Sequence, residues 1–101
     1  MIQRGQRQRV DRNQAEIVQA LRKCGAHVQS LAGVGRGCPD LLVGYRGCWR
    51  VLEVKDGSKP LSQRGLTDAE CDWVEAAARA GADVDLVWNV DEALAVIGVS
   101  S

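Results

Sequence analysis

Residues 37–57 read GCPDLLVGYRGCWRVLEVKDG, with two apolar runs joined by the dipeptide Arg46-Gly47. A two-residue turn ending in glycine, set between runs rich in Leu, Val, Tyr and Trp, predicts a β-hairpin of DLLVGY and CWRVLEVK. Pairing about that turn brings together residues whose numbers sum to about 93, which sets Asp40 opposite Glu53. Side chains alternate along a strand, so Glu53 and Lys55 project from one face and Val54 from the other. Two carboxylates facing each other repel, by up to ~1 kcal/mol at an exposed site and more when buried. A divalent cation offsets that repulsion, and hard oxygen donors on adjacent strands suit Mg2+ or Mn2+. The hairpin is thus expected to carry a metal-binding acidic pair at its open end, with Lys55 beside it.

The other elements follow from periodicity and punctuation. Residues 1–12 are polar, Arg-rich and without a period, and read as a flexible basic arm ahead of a single domain over 13–101. From Asn13 the apolar residues Ile17, Ala20, Leu21 and Cys24 recur at spacings of three and four, which predicts a helix stopped by Gly25. Asn13 and Glu16 have the spacing of a capping box. AHVQSL predicts a short strand and AGVGRGCP a loop, and DGSKPLSQRG is a second loop. LTDAECDWVEAAARAG is a helix with Thr67 as cap, Glu70 completing the box and Gly81 as stop, its Val74, Ala77 and Ala78 facing the core. DVDLVW is a strand and DEALAVIG a last helix. The order α-β-β-β-α-β-α suits an α/β fold, a mixed β-sheet flanked by helices.

Composition narrows the class. The 101 residues allow one domain with a modest core, which an oligomer could complete. No apolar run reaches the roughly 18 residues of a membrane span, and Met1 is followed by polar residues, so the chain reads as soluble and unexported, a cytoplasmic protein. The four cysteines at 24, 38, 48 and 71 contain no C-x-x-C pair, and His27 stands at no zinc-like spacing from them, which favours reduced core thiols over disulfides or a metal knuckle. Net charge is zero, yet residues 1–64 hold 12 Lys or Arg against 5 Asp or Glu, and residues 65–101 hold 1 against 8. A basic half can face a polyanion while the acidic half faces away, although two ordinary solvated faces would look the same.

The chemistry that suits Asp40, Glu53 and Lys55 is phosphodiester hydrolysis. A cation between the carboxylates would polarise the phosphate and lower the pKa of a bound water. Lys55 would hold or activate that water as a neutral amine, or stabilise the transition state as a cation. Each residue alone has an ordinary reading: a strand start for Asp40, a solvated ion pair for Glu53 and Lys55. Glu16 and Glu70 are both explained as capping-box residues. GVGRG precedes a strand rather than a helix, which excludes a nucleotide-cofactor loop. His27 is expected to be structural or partly exposed, and Trp49, Trp73 and Trp88 to be core or interface anchors rather than a stacking platform. Arg36, Ser58, Lys59 and Arg64 lie in the two loops that should flank the site and are candidate phosphate contacts, with ordinary solvated loop residues as the close competitor. Arg4, Arg7, Arg9 and Arg12 could follow a second backbone segment, or form a tail with no partner.

CPD followed after 12 residues by EVK resembles the PD-(D/E)XK nuclease signature. In this element order the chain resembles, over about residues 13–97, the virus-type replication-repair (VRR-NUC) group, small stand-alone phage and bacterial proteins. The stretches that carry the likeness are GCPDLLVG, VLEVKDG, LTDAECDWV and GADVDLVWNVDEAL. The resemblance implies that Asp40, Glu53 and the Val54 carbonyl bind the metal, and that Lys55 is the catalytic lysine. It further implies that Glu16 contributes to the metal site. The group often has glutamine at the position of Glu70, a departure that leaves that residue's role open. A Mg2+-dependent, structure-selective endonuclease is implied, a homodimer cutting branched DNA such as four-way (Holliday) junctions. A nickase, a flap nuclease or a non-catalytic DNA-binding or assembly module of the same fold are the alternatives.

Overall fold

The computed structural model describes residues 12–57 and 65–99. Among these, the order is α1 (Arg12–Lys23), β1 (His27–Ser30), β2 (Leu41–Tyr45), β3 (Cys48–Val54), α2 (Asp68–Arg79), β4 (Asp85–Val87) and α3 (Val90–Ile97), as expected. The strands form one mixed sheet in the order β1-β2-β3-β4. β1, β2 and β3 are successively antiparallel, and β4 lies parallel to β3. A parallel neighbour needs a crossover, and α2 lies in it.

The hairpin register runs from Tyr45 opposite Cys48 to Leu41 opposite Leu52, the alignment deduced from the turn. Arg46 and Gly47 have φ of 50° and 83°, the left-handed pair that a two-residue type I′ turn requires. Period-two alternation then sends Leu41, Val43, Leu52 and Val54 to one face, where they are buried with Val28 and Val87. Ile17 and Leu21, one turn apart on α1, and Ala93 and Ile97 on α3 complete this core. Each fully buried Leu, Ile or Val contributes roughly 1.5–3 kcal/mol.

The main helix contacts with the sheet are those of α1 with β1 and of α3 with β4, and α1 and α3 also touch each other. Among the described residues α2 adds none to that core. None of its residues is buried: Val74 and Ala77 are half-buried and Ala78 is exposed, contrary to the expectation that these three face the core. The opposite sheet face carries His27, Leu42, Gly44, Trp49, Val51, Glu53 and Leu86 by register. Trp49 is 63% and Leu86 42% exposed there, so Trp49 is no core anchor.

Two further expectations are corrected. α1 already includes Arg12, so Asn13 lies inside the helix and does not cap it with Glu16. The four cysteines are free as expected, but none is buried, and Cys48 is exposed. The arm residues 1–11, with Arg4, Arg7 and Arg9, lie outside the described residues.

Candidate active site

Asp40 immediately precedes β2, and its own N–H donates to the Leu52 carbonyl at 3.1 Å. This extends the hairpin by one step and brings Asp40 beside Glu53. The Asp40 Oδ2 accepts the Val54 N–H at 2.7 Å. Glu53 is 4% and Lys55 9% exposed, the two charged side chains buried among the described residues. Lys55 Nζ lies 3.4 Å from Glu53 Oε2 and 3.6 Å from Glu70 Oε1, and it donates to the Gly65 carbonyl at 3.2 Å. The sequence-predicted trio is therefore assembled, and Glu70 joins it.

Each position has a local cause. β3 ends at Val54, and the Lys55 N–H still bonds to the Val87 carbonyl of β4 at 2.9 Å, so the lysine leaves the sheet with its main chain fixed on that side. Glu70 stands at the third position of α2, where Thr67 caps the helix: Thr67 Oγ1 accepts the Glu70 N–H at 3.1 Å and Glu70 Oε1 accepts the Thr67 N–H at 2.9 Å. The start of α2 is pinned by Gly37, whose φ is 81° and whose Cα approaches the Ala69 carbonyl so closely that a Cβ would overlap it. Only glycine meets both conditions. The loop before Asp40 thus sets where Glu70 stands relative to Lys55.

Burial raises the Glu53 carboxyl from its ordinary 4.5 to about 7, helped by the negative charges of Asp40 and Glu70 and opposed by the Lys55 ammonium beside it. The same acidic surroundings reach Cys38, whose thiol is pushed upward first by burial and then by Glu53 and Asp40. A raised thiol pKa keeps the thiolate, the nucleophilic form, scarce.

The donor set fits a hard divalent cation. Two carboxylates whose charges oppose each other gain most from a positive ion. Val54 donates its N–H to Asp40, and within a strand residue the carbonyl points to the same edge as the N–H, so the Val54 oxygen is turned towards Asp40 as well. Among the described residues no three His, Cys, Asp or Glu side chains gather into a metal-binding group. Glu16 is exposed on α1 and is not among the charges acting on Glu53. The structure does not bring it to the pair.

Arg36 is exposed in the loop before Asp40 with φ 56°, an unfavourable left-handed conformation for a side chain of this kind. Ser58, Lys59 and Arg64 lie outside the described residues. A residue the sequence reading missed is Asn13, whose side-chain amide donates to the Lys55 carbonyl at 2.7 Å and the Trp88 carbonyl at 3.2 Å. Its helix-start pattern masked this contact, which spans 42 positions of the chain.

No family model matches the sequence, and no curated protein matches it. Among solved structures the chain is similar to one described as a VRR_NUC domain, with a TM-score of 0.65 and 28% identity over 85% of this chain and 90% of that one.

Proposed function

From the premise that this chain carries a VRR-NUC nuclease fold, we propose that it is a metal-dependent endonuclease that hydrolyses phosphodiester bonds of DNA, acting as a homodimer on branched substrates such as four-way junctions. The observation that carries the reading is the convergence of Asp40, Glu53 and Lys55 at one buried strand end, where burial first and then the charges of Asp40 and Glu70 raise the Glu53 carboxyl to about 7. Asp40, Glu53 and the Val54 carbonyl would hold Mg2+ or Mn2+, which supplies Lewis acidity towards the phosphate and the attacking water. Asp40 keeps Val54 oriented through the 2.7 Å bond to its N–H. Lys55 presents an ammonium held by two carboxylates and a carbonyl, the placement of an electrostatic stabiliser for charge developing on phosphate oxygens.

Arg36, exposed one loop away, with Ser58, Lys59 and Arg64, would contact flanking phosphates. The branched substrate rests on the family resemblance. The homodimer has separate support: Trp49 and Leu86 are exposed on the sheet face opposite the core, and helix α2 has no buried residue, apolar surface that a second copy would cover. Two sites related by a two-fold axis would cut two strands of a symmetric junction.

Duplex, flap, single-stranded and four-way DNA incubated with Mg2+ or EDTA test the reading. Cutting that requires Mg2+ and falls steeply in Lys55→Ala supports it. Equal behaviour of wild type and Lys55→Ala on every substrate overturns it. Sedimentation of wild type against Trp49→Glu tests the dimer, which should dissociate when a charge replaces the exposed Trp49 ring.

A further inference from the structure

Lys55 lies one residue beyond β3. Its N–H makes the last rung to β4, through the Val87 carbonyl, and beyond that the sheet offers its main chain no partner from β4. Trp88 lies one residue beyond β4, and its N–H leaves the sheet to donate to Glu92 Oε1 at 2.8 Å. The Lys55 and Trp88 carbonyls are the last two acceptors of two parallel strands, and both are met by one side chain, the amide of Asn13, at 2.7 and 3.2 Å. A primary amide has two N–H donors, one for each carbonyl. Asn13 stands on α1, whose Ile17 and Leu21 are fully buried, so the clamp is anchored to the core.

We propose that Asn13 is a positioning residue for Lys55. Held at its N–H by Val87 and at its carbonyl by Asn13, the Lys55 main chain has both sides fixed, and the side chain then starts from one place on its way to Glu53 and Glu70. Without the amide, the Lys55 carbonyl loses the donor that meets it at 2.7 Å, and the ammonium no longer has a fixed origin. Asparagine is needed rather than aspartate, since a carboxylate of the same shape offers no donor and would oppose both carbonyl dipoles. The catalytic consequence rests on the nuclease reading; the clamp does not.

The test uses the full chain, a four-way junction oligonucleotide and Mg2+, with single-turnover cleavage separated from binding. Asn13→Asp should stay folded and bind the junction within about threefold of wild type, while its cleavage rate falls about 10- to 100-fold, as small misplacements at reacting centres do. In a Lys55→Ala background the same substitution should change the residual rate by less than about threefold, because its effect passes through Lys55. Amide hydrogen exchange should speed up at Lys55 and not at Leu52. Asn13→Ala repeats all three measurements if the aspartate variant does not fold.

An unchanged rate in a folded variant, or an equal loss in both backgrounds, overturns the proposal. Unchanged exchange at Lys55 does so without any cleavage assay. If wild type and Lys55→Ala cut alike, the nuclease reading falls, and exchange at Lys55 alone then decides whether the clamp exists.

Discussion

Glu70 Oε1 lies 3.6 Å from Lys55 Nζ and accepts the Thr67 N–H at 2.9 Å, so one carboxylate oxygen both closes the first turn of α2 and faces the buried lysine. Helix initiation and site electrostatics are therefore coupled. The same group adds negative charge at Glu53 and helps to lift its carboxyl to about 7.

Substitutions at Glu70 separate the two roles. Glutamine keeps an acceptor for the Thr67 N–H, so Glu70→Gln should stay within about 0.5 kcal/mol of wild type, whereas Glu70→Ala loses that half of the box and about 1 kcal/mol. Both variants remove the charge, so the Glu53 carboxyl should titrate lower in each. Urea unfolding for stability and NMR titration of the Glu53 side chain check the two halves.

The stability of the metal-free protein should carry a signature of Glu53. Its folded value of about 7 lies above the ordinary 4.5, so the folded state binds the proton more tightly than the unfolded chain. That contribution is fully present below 4.5 and is lost as pH rises through about 7. It amounts to something on the order of 2–3 kcal/mol. With EDTA, the stability difference between wild type and Glu53→Gln should shift against wild type from pH 4 to pH 8. Mg2+ should restore wild type at pH 8 and do little at pH 5, where the proton competes with it. Urea titrations at these pH values check the sign.

Gly37 should be intolerant of a methyl group. Gly37→Ala meets both a left-handed φ of 81° and overlap with the Ala69 carbonyl, while Gly35→Ala at φ 75° meets open space. Gly35→Ala should cost about 1–2 kcal/mol, the left-handed penalty alone, and Gly37→Ala clearly more. Because Gly37 holds the start of α2, its variant should also slow cleavage by shifting Glu70 from Lys55. Thermal unfolding and cleavage rates of the pair separate strain from contact.

Asp40→Asn should keep the fold and junction binding but abolish cutting. The amide oxygen can still accept the Val54 N–H that Asp40 Oδ2 accepts at 2.7 Å, while the charge that would hold a cation is gone. Circular dichroism, junction gel shift and Mg2+-dependent cleavage check the three parts. A variant that fails to fold would mark Asp40 as structural.

Much of this was legible in the chain itself because it is local. The turn at Arg46-Gly47 dictates the register that pairs Leu41 with Leu52 and so carries Asp40 to Glu53. Thr67 and Glu70 stand at capping-box spacing, and they form the box. Where local patterns had two outcomes, they misled. Asn13 and Glu16 show the same spacing, but the helix starts earlier and the amide of Asn13 is used 42 positions away instead. Apolar spacing in Val74, Ala77 and Ala78 says that a face is greasy and not what covers it.

The sequence by itself determined the element order, the hairpin register and the identity of the charged trio, because backbone periodicity and turn geometry depend on near neighbours. Only the tertiary structure decided that α1 and α3 share one sheet face, that Glu70 rather than Glu16 stands with Lys55, and that Asn13 ties two strand ends. Those outcomes depend on which surfaces compete for the core face and on polar groups left over at strand ends, and both arise only once distant segments are packed together.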